Sequence, residues 1–398
     1  MGLGGVADAC LRGDPERASK RGKGVILTRF ADFFALRDRD RESLAVSPEH
    51  DAKLFVDLDR VLPRVRDMLR GVPRLILFGD YGTGKSHLLR HIQDQMAPDM
   101  RYRAVYVVLS GFQRRSRFQH VHALVMQKME DVLIPLLQGT RDIRGWIEAR
   151  RDVDEDVRRA LVQLADPSTK EPDRARLRAW LKGPGITTAE LRRLGLSGRL
   201  VDTCGPAQLV DLWKCIGEMH QQHALDRSSL LLLFDEGESI QQALSPEGQH
   251  DLANGFRALL DPDNRSLGCV FGLNLPGARA THPFLRTDVA RRILDSTLSL
   301  QALGGPLRVR AFAEALWAML AEPDAPPLLD TEALAQVAQH LALLRDKLGL
   351  TLGPPNRMPT QSDLIHVLNR LAQAAFQARQ PPPIPADWIR DALQVPGS

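Results

Sequence analysis

The chain contains no apolar run approaching 18 residues, so no membrane-spanning helix is expected. Its first stretch, "MGLGGVADACLRGDPERASKRGKG", lacks the apolar centre of a signal peptide. It begins Met-Gly, but Ala7 stands close to where a myristoylation signal has Ser or Thr, which argues against a lipid anchor. Cysteine is scarce and scattered. The four residues, Cys10, Cys204, Cys215 and Cys269, form no C-x-x-C pair, which argues against a zinc site and a disulfide framework. A reducing, cytoplasmic setting fits this usage. No internal repeat is visible, and Gly and Pro are not extreme, so the composition is that of a globular protein.

What is present is ample apolar material and a mild positive charge. The 398 residues are 43% hydrophobic, enough for a substantial core and for two or three domains. Net charge is +4, which permits nucleic-acid binding without requiring it. Distribution says more: residues 101–120, "RYRAVYVVLSGFQRRSRFQH", hold five arginines and no acid.

Residues 1–25 read as a flexible basic arm, and 26–71 as helices packing onto the domain that follows. Five strands are expected, in "RLILFG", "YRAVYVVLS", "SSLLLLFDEGES", "RSLGCVFGLN" and "STLSLQAL". Helical stretches separate them, which implies a parallel sheet with helices on both faces. The interval from Lys85 to Asp235 is 150 residues, far longer than two strands and a helix need. Much of about 113–210 is therefore an insertion, with a helical, strongly charged pattern as in "IEARRDVDEDVRRALVQLADP". It reads equally as a solvated excursion or as a surface for a partner or DNA. From residue 309 the pattern is wholly helical, punctuated by "GPPNRMP" and "PPPIP".

The segment "GDYGTGKS" matches G-x-x-x-x-G-K-[ST] in full, after an expected strand and opening a helix. Glycines let backbone N–H groups turn in around phosphates, and a helix N-terminus favours negative charge. On this reading Gly79, Asp80, Tyr81, Gly82, Thr83, Gly84, Lys85, Ser86 and His87 surround a nucleotide. Lys85 reaches the β- and γ-phosphates and Ser86 ligates Mg2+. In "LLLLFDE" a buried strand delivers Asp235 to the metal, and Glu236 stands ready to polarise a water. The adjacent acid pair points to hydrolysis of ATP rather than binding alone. Glu238 reads as a surface or capping residue. Asn274 ends "LGCVFGLN", where its side chain either orients that water or begins a turn. Arg291 and Arg292, in "HPFLRTDVARRI", are either a basic surface pair or groups that neutralise phosphoryl charge across a subunit boundary. Arg357, in "PPNRMPTQSDL", is placed to reach the nucleotide from the C-terminal helices.

This order of motifs resembles AAA+ ATPases, particularly the initiator-like Orc/Cdc6 branch. There a "V-x-S-R-L" segment carries an arginine finger; "VARRI" at 289–293 sets Arg292 in that place, with Arg291 where the family has a small residue. The family's lid arginine lies in "G-x-x-R", and "GPPNR" at 353–357 is one residue longer. A second resemblance, over about residues 60–300, is to the ATP-binding proteins of bacterial phage-exclusion (BREX) systems of the BrxC/BrxD type. It rests on "LRAWLKGPGITTAELRRLGLSGRLVD", "LVDLWKCIGEM" and "LLLLFDEGESI". The resemblances imply an α/β fold: an AAA+ P-loop parallel sheet flanked by helices (26–308), with a helical insertion and an all-α C-terminal lid domain (309–398). They imply ATP and Mg2+ as cofactors, a homo-oligomer, double-stranded DNA and defence partner proteins.

The best candidate for a DNA contact in the sequence is "SGFQRRSRFQHVH". Arg114, Arg115 and Arg117 can pair with phosphates, and Phe112 or Phe118, if exposed, can stack or wedge. The alternative is that both rings are core and the arginines solvate the loop. Two other functions stay open: an initiator-like or transposition-regulating ATPase that forms a DNA scaffold, and a signalling ATPase that gates a partner without touching DNA.

Overall fold

The computed structural model describes residues 29–70, 73–140, 142–183, 186–237, 245–261, 266–274, 296–348 and 358–393. The expected arm at 1–25 lies outside them. The chain divides into two units, residues 47–301 and a second that joins the residues up to Val46 with those from Ala302 onward.

All five expected strands form, as β1 (Arg74–Gly79), β2 (Tyr102–Val108), β3 (Ser229–Asp235), β4 (Leu267–Asn274) and β5 (Thr297–Ser299). They make one parallel sheet in the order β2-β3-β4-β1-β5. This is the α/β class expected from the sequence, a parallel sheet flanked by helices. The register sets Val108 beside Asp235 and Gly79 beside Asn274, so the carboxyl ends lie along one edge. In open parallel sheets that edge is where ligands bind.

The continuous apolar runs are buried on both faces, as a covered parallel sheet requires. Side chains alternate. Leu75, Leu77, Leu231, Leu233 and Val270 pack with helices α1 (Val61–Arg70) and α2 (Lys85–His91). Ile76, Val105, Leu230, Leu232, Phe234 and Phe271 join the core of the opposite face. That second core is shared with the insertion, which is helical as expected: α3 (Phe118–Gly139), α4 (Ile143–Ala149), α5 (Glu155–Ala165), α6 (Glu171–Lys182), α7 (Thr188–Leu194) and α8 (Pro206–His223). Helix α9 (Pro246–Leu259) follows β3. The insertion is therefore no separate excursion; one apolar cluster runs from Phe234 in the sheet through Phe118 and Trp213 to Trp180. His122 on α3 lies at its centre. The imidazole bonds the Leu181 carbonyl through Nε2 at 2.8 Å, and its Nδ1 accepts from the Trp213 indole at 3.1 Å. Burial lowers its pKa to about 4.

The second unit contains α10 (Pro306–Leu320), α11 (Thr331–Lys347), α12 (Gln361–Ala378) and α13 (Ala386–Leu393). Residues 29–46 belong here, not on the sheet as the sequence reading had them. Phe30 and Phe33 set their rings 5.4 and 5.3 Å from that of Phe376. Arg37 donates to the Ala321 and Ala318 carbonyls at 2.6 and 3.0 Å, and the Leu44 N–H donates to Asn369 Oδ1 at 2.8 Å. The part from Ser47 belongs to the first unit and packs with the sheet through Val61, Val65 and Leu69.

Candidate nucleotide site

Strand β1 stops at Gly79 because the loop folds back there. A Cβ at that position would stand 2.4 Å from Thr83 Oγ1 and 2.8 Å from the Leu300 carbonyl, distances no side chain tolerates. The loop turns again at Gly84, whose φ of 88° is left-handed and leads into α2. Thr83 closes the turn by donating to the Asp80 carbonyl at 2.9 Å. Lys85 is only 7% exposed, and its ammonium donates to the Gly79 and Asp80 carbonyls at 2.9 and 2.8 Å. The cation is thus held within the loop. Ser86 lies in the first turn of α2, while Tyr81 is 52% exposed at the tip.

His87, expected among the nucleotide contacts, has another task. Its Nε2 bonds the Asp51 carbonyl at 2.7 Å, and its ring meets Phe55 edge-on at 5.9 Å. Four residues on, His91 bonds the Ala52 carbonyl at 2.9 Å. The two rings bind a strap, residues 51–55, along α2. Burial, then the charge of His91, lowers the His87 pKa to about 4. The strap reaches the loop, since a Cβ on Gly84 would touch the Phe55 ring at 3.7 Å.

Asp235 ends β3 and is 4% exposed. Two donors fix its carboxylate: the Tyr106 hydroxyl on Oδ2, and the Glu236 N–H on Oδ1 at 2.9 Å. Gly272 on β4 faces it, and a Cβ there would lie 3.2 Å from Oδ1. Glu236 is exposed and takes φ 57°, a left-handed value uncommon for a non-glycine residue. Such local strain collects at functional positions. Gly237 then turns the chain across β4, its N–H donating to the Gly272 carbonyl at 3.3 Å.

Asn274 ends β4 directly beside Gly79 in the register, so the polar strand end lies next to the loop 79–86. Arg291, Arg292, Arg357 and Glu238 lie outside the described residues. Sequence reasoning missed Tyr106 and Arg90. The Arg90 guanidinium stacks 3.5 Å above the Tyr106 ring. Burial, and then the Asp235 charge, raise the Tyr106 pKa, so the phenol stays a proton donor. A tyrosine inside a buried apolar strand was the available signal, because its hydroxyl requires a partner.

The arginine-rich loop corrects one expectation. Phe118 is fully buried between Trp213 and Phe256, at 5.4 and 5.7 Å, and Phe112 is half-buried with its ring 4.7 Å from that of His120. The apolar interior of α3 claims both rings. Arg114, Arg115 and Arg117 are exposed. They are not alone: the Ser245 N–H donates to the Arg114 carbonyl at 3.0 Å, and Glu247 lies near enough to Arg117 and Arg114 to feel their charge.

The residues fit a nucleotide with Mg2+. Among the described residues no group of three or more His, Cys, Asp and Glu could hold a metal. Mg2+ needs no such cage, since one or two protein oxygens and the phosphates suffice. Ser86 and Asp235 supply oxygens of that kind. Among the described residues, no helix is long and apolar enough to cross a membrane.

No protein-family model matches the chain, and no curated protein matches it. Solved structures resemble it at low identity. Cdc6p from Pyrobaculum aerophilum is 13% identical with a TM-score of 0.40, over 88% of this chain and 66% of that one. The ORC2 protein of Aeropyrum pernix, in ADPNP–ADP complexes, gives 13%, 0.40, 88% and 67%. The E. coli MS115-1 HORMA:CdnC:Trip13 complex gives 14%, 0.44, 88% and 92%. The chain thus spans about two-thirds of the length of the first two. Likeness at this level fixes neither activity nor partner, and the chain's own residues must carry both.

Proposed function

We propose that the chain is an ATP-binding and ATP-hydrolysing AAA+ switch. The observation that carries this reading is the convergence of three sequence-distant features on one sheet edge: the loop 79–86, the doubly held Asp235 with Glu236, and Asn274 beside Gly79. The loop N–H groups and Lys85 bind the β- and γ-phosphates. Ser86 and Asp235 would hold Mg2+, which when bound adds positive charge at the transferring group. Glu236 accepts a proton from the attacking water, and Asn274 orients that water.

At assembly scale the reading is an oligomer of identical subunits in the cytoplasm, each completing a neighbour's site through Arg292, with Arg291 beside it, and Arg357 approaching from a helical lid. ATP state would set assembly on double-stranded DNA, within a phage-exclusion system of the BREX type, with defence proteins as partners. The motif order and the insertion phrases support this reading. ATP turnover with and without duplex DNA tests it. Arg292→Ala is expected to abolish concentration-dependent turnover; unchanged turnover would remove the subunit-boundary role.

One observation favours a second reading, a signalling ATPase that gates a protein effector. The rings of the arginine loop are committed to the core, and Glu247 stands beside the cations. Absence of salt-dependent DNA binding in the presence of ATP would decide for it.

A further inference from the structure

Tyr106 lies on β2, one strand beyond Asp235. The register pairs Tyr106 with Leu233 and Val108 with Asp235, so the tyrosine sits two residues short of the acid along the sheet. Two strand residues rise about 6.6 Å and share a face. A long side chain from 106 therefore reaches the carboxyl edge on the same face as α2, and its hydroxyl meets Asp235 Oδ2. The other oxygen, Oδ1, takes the Glu236 N–H at 2.9 Å. The carboxylate is gripped from two sides, and one grip is the backbone of the neighbouring acid.

The tyrosine is itself held from the phosphate loop's helix. Arg90, five residues after Lys85, lays its guanidinium 3.5 Å from the ring centroid. Its Nη1 donates to Gln93 Oε1 at 2.9 Å, and a π-helical turn, Ile92–Met96, begins just beyond. Such turns occur often at functional positions. A cation on the ring face draws electron density from the phenol and strengthens its donation to a carboxylate.

We propose that Tyr106 is a positioning residue for Asp235: its hydroxyl, backed by Arg90, fixes the carboxylate that takes up the metal of bound ATP. The inference rests on the ATP–Mg2+ reading above. It joins the loop helix to the acidic strand through Lys85, Arg90, Tyr106 and Asp235, with Glu236 attached by its N–H. A bond that served packing alone has an internal control in Tyr102. That residue lies on the same strand, and its hydroxyl donates to the Leu69 carbonyl at 2.8 Å, far from either acid in the register.

The test uses the full chain and Mn2+ as the metal probe. Metal-free affinity is read with a fluorescent ATP analogue in EDTA. Mn2+ affinity of the ATP-bound protein is read by electron paramagnetic resonance, and folding by the thermal midpoint. For Tyr106→Phe, analogue affinity is expected to stay within about twofold while Mn2+ affinity falls about tenfold, the usual effect of losing a partner to a metal ligand. Arg90→Met should weaken Mn2+ by a smaller factor, and Tyr102→Phe should leave it unchanged. If Tyr106→Phe does not fold, Arg90→Met against Tyr102→Phe carries the comparison. Wild-type Mn2+ affinity in Tyr106→Phe would overturn the proposal, as would equal loss of metal-free and metal-dependent binding. A wild-type protein that binds no analogue would instead overturn the nucleotide reading.

Discussion

Glu236 holds a left-handed backbone at φ 57°, and its N–H closes on the side chain of Asp235. A residue with a Cβ in that region costs about 1–2 kcal/mol, and glycine removes most of the cost while adding chain entropy. Glu236→Gly should therefore raise stability by about 0.5–1 kcal/mol in a denaturant melt while abolishing ATP turnover. Unchanged turnover would show that the strained carboxylate plays no part in the chemistry. Gly79 is the opposite case. A methyl group there meets Thr83 Oγ1 and the Leu300 carbonyl, so Gly79→Ala should abolish binding of an ATP analogue in titration. The motif residues were legible because phosphate binding demands fixed spacing along the chain. Tyr106 and Arg90 were not, since Tyr106 meets Asp235 across strands at a separation of 129 residues and Arg90 reaches the Tyr106 ring from α2.

Among the elements, the insertion holds a buried histidine whose hydrogen bonds depend on pH. His122 accepts from Trp213 and bonds Leu181, an arrangement that only the neutral ring can make. Its pKa is lowered from 6.5 to about 4, so the folded state refuses a proton that the unfolded chain takes up. By linkage, stability is full above about pH 6.5 and falls as pH drops toward 4, by on the order of 2–3 kcal/mol. His87 titrates in the same direction. Chemical denaturation at pH 7 and pH 5 should show the loss, and His122→Gln should flatten the slope while lowering stability at pH 7. A slope unchanged in His122→Gln would refute the assignment. The five strands were readable because buried parallel strands are continuous apolar runs bounded by turn residues. Residues 29–46 were misassigned because helical spacing reveals an apolar face but not its partner. Phe30 and Phe33 find Phe376, more than 340 positions away. Phe376 is half-buried, so Phe376→Ala should cost about 1–3 kcal/mol, read as an earlier melting transition.

For the whole molecule, charge placement bears on partners more than the net value of +4 does. Three exposed arginines, 114, 115 and 117, give at most three phosphate contacts, hence a log–log salt slope for DNA binding of roughly −3. Replacing all three with alanine should remove that slope. If the slope persists, the DNA contact lies elsewhere, and if no binding exists, the protein-gating reading stands. Everything at this scale depends on the sheet edge being a hydrolytic site. Nucleotide turnover and retention, measured side by side for wild type and Glu236→Gln with Mg2+, test that most directly. The wild type should turn over steadily, with the variant slower by about 10²–10⁴ yet still holding ATP. Equal turnover in both proteins, or no ATP bound by either, would contradict it.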